Sequence, residues 1–198
     1  MPTYDERTAL IVVDVQNDFA DPAGSLAVRG GEEIVPRVNH AIRSAIDAGA
    51  TVVYTQDWHP ESTPHFAKDG GIWPVHCVAG TWGAELHPAV DVAPGAPRVH
   101  TGTGGEDGYS GFTVRDPLTG EGTPTELDSL LRARGIERVA ICGLATDYCV
   151  RATVLDALRL GYATTVLDDA IAAVDLEEGD GERAMGEMVE AGASLSET

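Results

Sequence analysis

Basic residues are scarce in this chain of 198 residues. Only 13 lysines and arginines face 32 aspartates and glutamates, a formal net charge of -19. No lysine at all follows Lys68. Such a surface repels phosphates, so nucleic acid and anionic membranes are not expected partners. Cysteine is sparse too. Cys77, Cys142 and Cys149 lack framework spacing and fit a reducing compartment, where a cysteine is either buried filler or chemistry. Long apolar runs are missing. The run Ala9 to Val13 is stopped by Asp14, and no segment approaches the roughly 20 apolar residues of a membrane span. No positively charged leader is seen, so a cytoplasmic protein is expected. Repeats and low-complexity tracts are absent, and the length suits a single domain over residues 1–198 with a sizeable core.

What is present is an alternation of β-rich runs and helical patterns. Thr8 to Asp14 is nearly continuous in apolar residues, as a strand covered on both faces should be. Ala50 to Asp57, Glu137 to Gly143 and Tyr162 to Asp169 read likewise, with a weaker strand over about 96–101. Ile34, Val35, Val38, Ala41, Ile42, Ala45 and Ile46 recur at helical spacing before Gly49. Thr123 to Glu126 reads as a capping box with Pro124 at the first helical position. Further helices are expected over about 147–160, with Thr146 as N-cap, and about 181–190. This alternation predicts an α/β fold, three-layered and doubly wound around a mostly parallel central sheet. Ligands of such sheets bind beyond the C-terminal strand ends, at Asp14, Asp57, Thr101 and Gly143 onward.

Each of those ends carries chemistry. Asp14 closes an apolar strand, so partial desolvation would raise its pKa and suit a proton acceptor; the alternative is an Asp that merely caps the turn. Asp57, His59 and His65, with His76 eleven residues on, form a borderline-metal donor set suited to one divalent ion, Zn, Fe or Mn, or else an ordinary structural cluster. Three protein ligands plus water would leave a position open to substrate. His40, His87 and His100 lack such neighbours and read as non-functional. Cys149 falls where a helix begins. Free N–H groups there would favour a thiolate below the ordinary value of about 8.5 and could hold an oxyanion, which makes a nucleophile plausible; buried filler is the alternative. Cys142 reads as filler within its strand, and Cys77 likewise. The glycine-rich stretch "HTGTGGEDGYSGF" is not a phosphate loop: its G-x-G opening lacks the closing glycine, no Lys-Ser/Thr follows, and Glu106 and Asp107 would repel phosphate.

DVQNDF with GSLAV, the D-x-H pair with a further His six residues on, WPVHCVAGT, YSGF and GLATDYCV together resemble the nicotinamidases (pyrazinamidases) of the isochorismatase-like cysteine hydrolase superfamily. The likeness runs in order from about Ala9 to Ala170. It implies hydrolysis of nicotinamide, or a related small amide, to the acid and ammonia within pyridine nucleotide salvage; a homo-oligomer is left open. By that resemblance Cys149 is the nucleophile and Asp14 the proton relay. Asp57, His59, His65 and His76 hold the metal, which takes the pyridine nitrogen. Phe19, Leu26, Trp73 and Tyr109 line the ring pocket. Leu144-Ala145 matches a family cis peptide, with the Ala145 and Cys149 N–H groups as the oxyanion hole. Superfamily branches acting on isochorismate or carbamoyl amides usually lack this metal set.

The resemblance breaks at one position. Family members carry a catalytic Lys just before the glycine-rich stretch, where this chain has Thr101. His100 is no substitute, because neighbouring strand side chains point to opposite faces. Losing one charge-stabilising group costs on the order of 10²–10⁴ in rate. An impaired amidase, an inactive nicotinamide- or nicotinate-binding homologue, and a hydrolase of another amide all remain open.

Overall fold

The computed structural model describes residues 2–198. Its elements, in chain order, are β1 (Thr8–Val13), α1 (Asn17–Ala20), α2 (Val35–Asp47), β2 (Thr51–Asp57), β3 (Arg98–Thr101), β4 (Thr113–Arg115), β5 (Gly122–Pro124), α3 (Leu127–Ala133), β6 (Arg138–Leu144), α4 (Arg151–Arg159), β7 (Ala163–Ala172), α5 (Asp180–Glu190) and β8 (Ser194–Ser196). The main sheet has the order β3-β2-β1-β6-β7-β8, and all its pairings are parallel. β4 and β5 form a small antiparallel ribbon.

β1 shows why the expected layers form. Every residue in it is buried. Leu10 and Val12 face a core that includes Val38, Ala41, Ile42 and Ala45 of α2. Ala9, Ile11 and Val13 face the other core, with Leu127 and Leu131 of α3, Val154 and Ala157 of α4, and Met188 of α5. Period-2 alternation thus divides one apolar run between two faces, and helices cover both. Three layers result, with the reversal of strand order beside β1. The C-terminal strand ends bring Asp14, Asp57, Thr101 and the 145–150 segment to one edge of the sheet.

Two helix starts differ from expectation. Pro124 pairs with Thr113 in β5, and α3 begins only at Leu127. The Thr125 N–H donates to the Phe112 carbonyl and its hydroxyl to the Gly111 carbonyl, so this backbone is engaged with the ribbon. The Thr125 hydroxyl in turn accepts from the Leu127 N–H at 3.2 Å. The second difference lies after β6. Thr146–Val150 is one π-helical turn with Ala145 at its N-cap, and Thr146 makes no side-chain cap. α4 follows at Arg151. Cys149 therefore sits in the wider turn before the α-helix, a geometry that recurs at functional sites. Among the described residues, no helix is long and apolar enough to cross a membrane.

Candidate active site

Asp57, at the last position of β2, is the hub of the first cluster. Its Oδ2 lies 3.2 Å from His59 Nε2 and 3.5 Å from His76 Nε2. One nitrogen from each of His59, His65 and His76 falls within 4.8 Å of the others, and all three residues are buried. The Nδ1–H of His76 donates to the Pro74 carbonyl at 2.7 Å, which leaves Nε2 as the free lone pair. His59 Nε2 is buried and lacks hydrogen-bond geometry to any protein group. Three imidazole nitrogens that converge, with the Asp57 carboxylate beside two of them, fit a divalent ion; an ordinary hydrogen-bonded histidine cluster would not leave His59 Nε2 without hydrogen-bond geometry. Burial opposes ionisation of Asp57, but His59 and His76 beside it hold its carboxyl below the usual range. Burial is also the main influence on His65, pushing it down to about 4, so it stays neutral near pH 7.

The second cluster sits one strand over. Asp14 follows β1 in a left-handed conformation, φ 49°. Its Oδ1 accepts the Thr55 hydroxyl at 2.6 Å. The Cys149 thiol beside Asp14, like the Thr55 hydroxyl, favours its ionised form. Burial, and then the nearby Asp57 charge, push Asp14 up to about 7, as its strand-end position led one to expect. Cys149 differs from expectation. Its thiol is pushed well above the ordinary range, first by burial and then by the Asp14 and Asp57 charges. The Ala145 N–H opposes this only in part. Helix-start N–H groups were expected to dominate. Full burial beside two carboxylates outweighs them. The Leu144–Ala145 peptide is cis.

Between the clusters lies a pocket of about 350 Å³, counting its open mouth, lined by Asp57, His65, His76, Ala145 and Cys149. Phe19, Leu26, Trp73 and Tyr109 also line it. Asp14, His59 and Thr101 are not part of that lining. Tyr109 accepts from the Trp73 indole N–H at 2.8 Å, which locks two walls together. Val28, Tyr148 and Val174 complete the enclosure and escaped sequence reasoning. Tyr148 stands edge-on to Trp73, ring centroids 4.9 Å apart. Its place beside Cys149 in the sequence was the available signal.

Several supporting residues also escaped notice. Gln16 clamps the Asp57 backbone: its side chain donates to the Asp57 carbonyl at 2.7 Å and accepts the Asp57 N–H at 2.8 Å. Asp18 accepts the Ser25 N–H at 3.0 Å and the Cys77 N–H at 2.7 Å, tying the loop before Leu26 to the segment carrying His76. Gly83 is required there, because a Cβ would lie 2.0 Å from the Asp18 carboxylate. Both supports belong to the DVQND string, whose polar residues inside an apolar setting were the clue. His100 is exposed and stacks on Trp58, while Thr101 is 1% exposed, so the two do face opposite ways. Cys142 is buried in its strand and Cys77 is buried behind His76. Lys68, the last lysine in the sequence, pairs with Asp69.

Comparison with known proteins points the same way. The isochorismatase domain family matches residues 8–198. A nicotinamidase of Escherichia coli (strain K12) is 38% identical over 94% of this chain and 93% of its own length. The crystal structure of a pyrazinamidase of Pyrococcus horikoshii in complex with zinc is 42% identical, with a TM-score of 0.86, covering 97% of this chain and 99% of that one. The structure of PnC1 from L. infantum in complex with nicotinate is 35% identical, with a TM-score of 0.87, covering 99% of this chain and 96% of that one.

Proposed function

We propose, from the premise that this chain belongs to the isochorismatase domain family and to its nicotinamidase-type amidohydrolases, that it hydrolyses nicotinamide to nicotinate and ammonia. One observation carries this reading. Cys149 and the ligand-type residues Asp57, His65 and His76 line a single pocket with aromatic walls. A flat ring with a polar nitrogen at one end and an amide at the other matches that layout.

The Cys149 sulfur attacks the amide carbon, and Asp14 takes the thiol proton. The N–H groups of Ala145 and Cys149 hold the oxyanion that forms. Asp14 passes its proton to the amide nitrogen, the C–N bond breaks and ammonia leaves. A water then attacks the thioester, with Asp14 accepting one of its protons, and nicotinate departs as the thiol is restored. The raised pKa of Asp14 suits this relay, since it takes and returns a proton near neutral pH. Asp57, His59, His65 and His76 would hold one divalent ion, which when bound anchors the ring nitrogen of the substrate. Phe19, Leu26, Trp73 and Tyr109 fix the ring plane and exclude water. Such a reaction would serve pyridine nucleotide salvage.

A specific observation favours a second reading. Thr101 puts a neutral hydroxyl where the family has a cation, and Cys149 is left with a raised pKa. That supports a slow enzyme or a protein that binds nicotinamide or nicotinate without turnover. The discriminating experiment measures ammonia release from nicotinamide and a panel of other amides, for this protein beside Thr101→Lys and Cys149→Ala, with metal content determined on each. Turnover of nicotinamide that requires Cys149 and is lost with a chelator supports the amidase. Calorimetric binding with no ammonia over hours supports the binding protein. Preference for a different amide would replace nicotinamide as substrate.

A further inference from the structure

Thr101 is a gap in the catalytic set when judged by family likeness, but the structure gives its side chain a definite task. Thr101 and Asp57 are register partners on the parallel strands β3 and β2, so their side chains share a face. The Thr101 hydroxyl lies 3.4 Å from Asp57 Oδ1 and 3.5 Å from the Gln56 carbonyl. One proton can serve only one of these acceptors at a time, and an ionised carboxylate is the stronger.

The two oxygens of Asp57 therefore face different ways. Oδ2 is turned to His59 and His76, at 3.2 and 3.5 Å. Oδ1 is turned to Thr101. The neighbourhood is shaped to permit this contact. The Thr101 carbonyl accepts the Trp58 N–H at 2.9 Å, which pins the strand end. Gly108, in the loop arching above, leaves the space open: a Cβ there would lie 2.1 Å from Asp57 Oδ1 and 2.9 Å from Thr101 Oγ1. Thr101 is 1% exposed, so water does not compete freely for its hydroxyl.

We infer that Thr101 is a positioning residue of the metal site, whose hydroxyl holds Asp57 Oδ1 so that Oδ2 faces the ion. This rests on the proposed metal site of Asp57, His59, His65 and His76. A neutral donor suits the role. It can orient the carboxylate through a single hydrogen bond. Outer-shell hydrogen bonds of this kind set ligand orientation and basicity.

The test is the zinc affinity of the full-length protein, read by competition with a chromophoric chelator at fixed pH, independent of any turnover. Thr101→Val keeps the shape and removes the hydroxyl. Thr101→Ala removes it with a smaller side chain, in case the valine variant does not fold. Both should bind zinc on the order of ten-fold more weakly, and Thr101→Ser should restore the wild-type affinity. Wild-type affinity in the folded valine or alanine variant would overturn the inference. Equal loss in the serine variant would also overturn it, because that variant retains the hydroxyl. If the unaltered protein binds no zinc, the metal-site reading falls and this inference with it. If it binds zinc and the variants match it, only this inference falls.

Discussion

The two clusters that face each other across the pocket treat charge in opposite ways. On the Asp57 side, one carboxylate lies against two imidazoles of a three-histidine cluster, with a hydroxyl on its outer oxygen. Burial is compensated there, and the Asp57 carboxyl lies below its usual range. On the Asp14 side, a carboxylate and a thiol share a buried space with only the neutral Thr55 hydroxyl as a further side-chain donor. Burial is only partly compensated there, and both acids are pushed up. Binding a cation and holding a proton need different environments. On the proposed reading, neighbouring strand ends supply both.

That contrast can be broken from either side. The largest effect should come from Cys149→Ala, which should lower ammonia release at least about 10⁴-fold while zinc content stays at the wild-type level. Retained turnover would remove Cys149 from the chemistry. Supplying the absent charge comes next. With zinc held saturating, so that the lost Thr101 hydroxyl does not empty the metal site, Thr101→Lys should raise kcat/KM by on the order of 10²-fold, as restoring one charge-stabilising group does. Steady-state ammonia kinetics on the two proteins check this. Gly108→Ala should cost zinc affinity about ten-fold or more, because its Cβ would push against Asp57 Oδ1; a chelator competition reads it directly.

The pH dependence is a finer probe of the Asp14 side. Only ionised Asp14 accepts a proton, and its pKa is raised to about 7. The kcat/KM should therefore be flat above that value and fall as pH drops through it. In Thr101→Lys the added cation favours ionised Asp14, so the limb should move to lower pH. The smallest effect concerns stability. A carboxyl whose folded pKa is raised from 3.8 to about 7 stabilises the fold fully below the lower value. That contribution is lost as pH rises through the upper one. Asp14→Asn, which cannot ionise, should thus melt higher than the metal-free wild type at about pH 8, with the gap closing towards about pH 4. A gap that widened on acidification would contradict the charge assignment.

Legibility differed between the same two clusters. Asp57, His59, His65 and His76 could be picked out because donor types crowd a strand end, and the pocket walls Phe19, Leu26, Trp73 and Tyr109 followed from family likeness. The sheet was readable because β1 and β2 are apolar runs that period-2 alternation splits between two cores. The state of Cys149 was not readable. Its place near a helix start favours the thiolate, while its burial beside Asp14 and Asp57 opposes it, and only the fold decides which prevails. The late start of α3 was hidden for a similar reason: Thr125 is hydrogen-bonded to Gly111 and Phe112 in a ribbon that local propensity does not reveal.

Contiguous residues were enough to establish the order of strands and helices, the strand-end carboxylates, the imidazole-rich segment and the cysteine at the head of a helical stretch. Those features are written in local pattern, and local pattern governs where a chain turns and which face it buries. What each side chain then touches was settled by contacts between distant segments. Gln16 reaches Asp57 across 41 positions, Asp18 reaches Cys77 across 59, and Thr101 reaches Asp57 across 44. Such contacts depend on strand register and loop closure, which no short window contains. For that reason Thr101 looks like a missing lysine in the chain and like a partner of Asp57 in the folded protein.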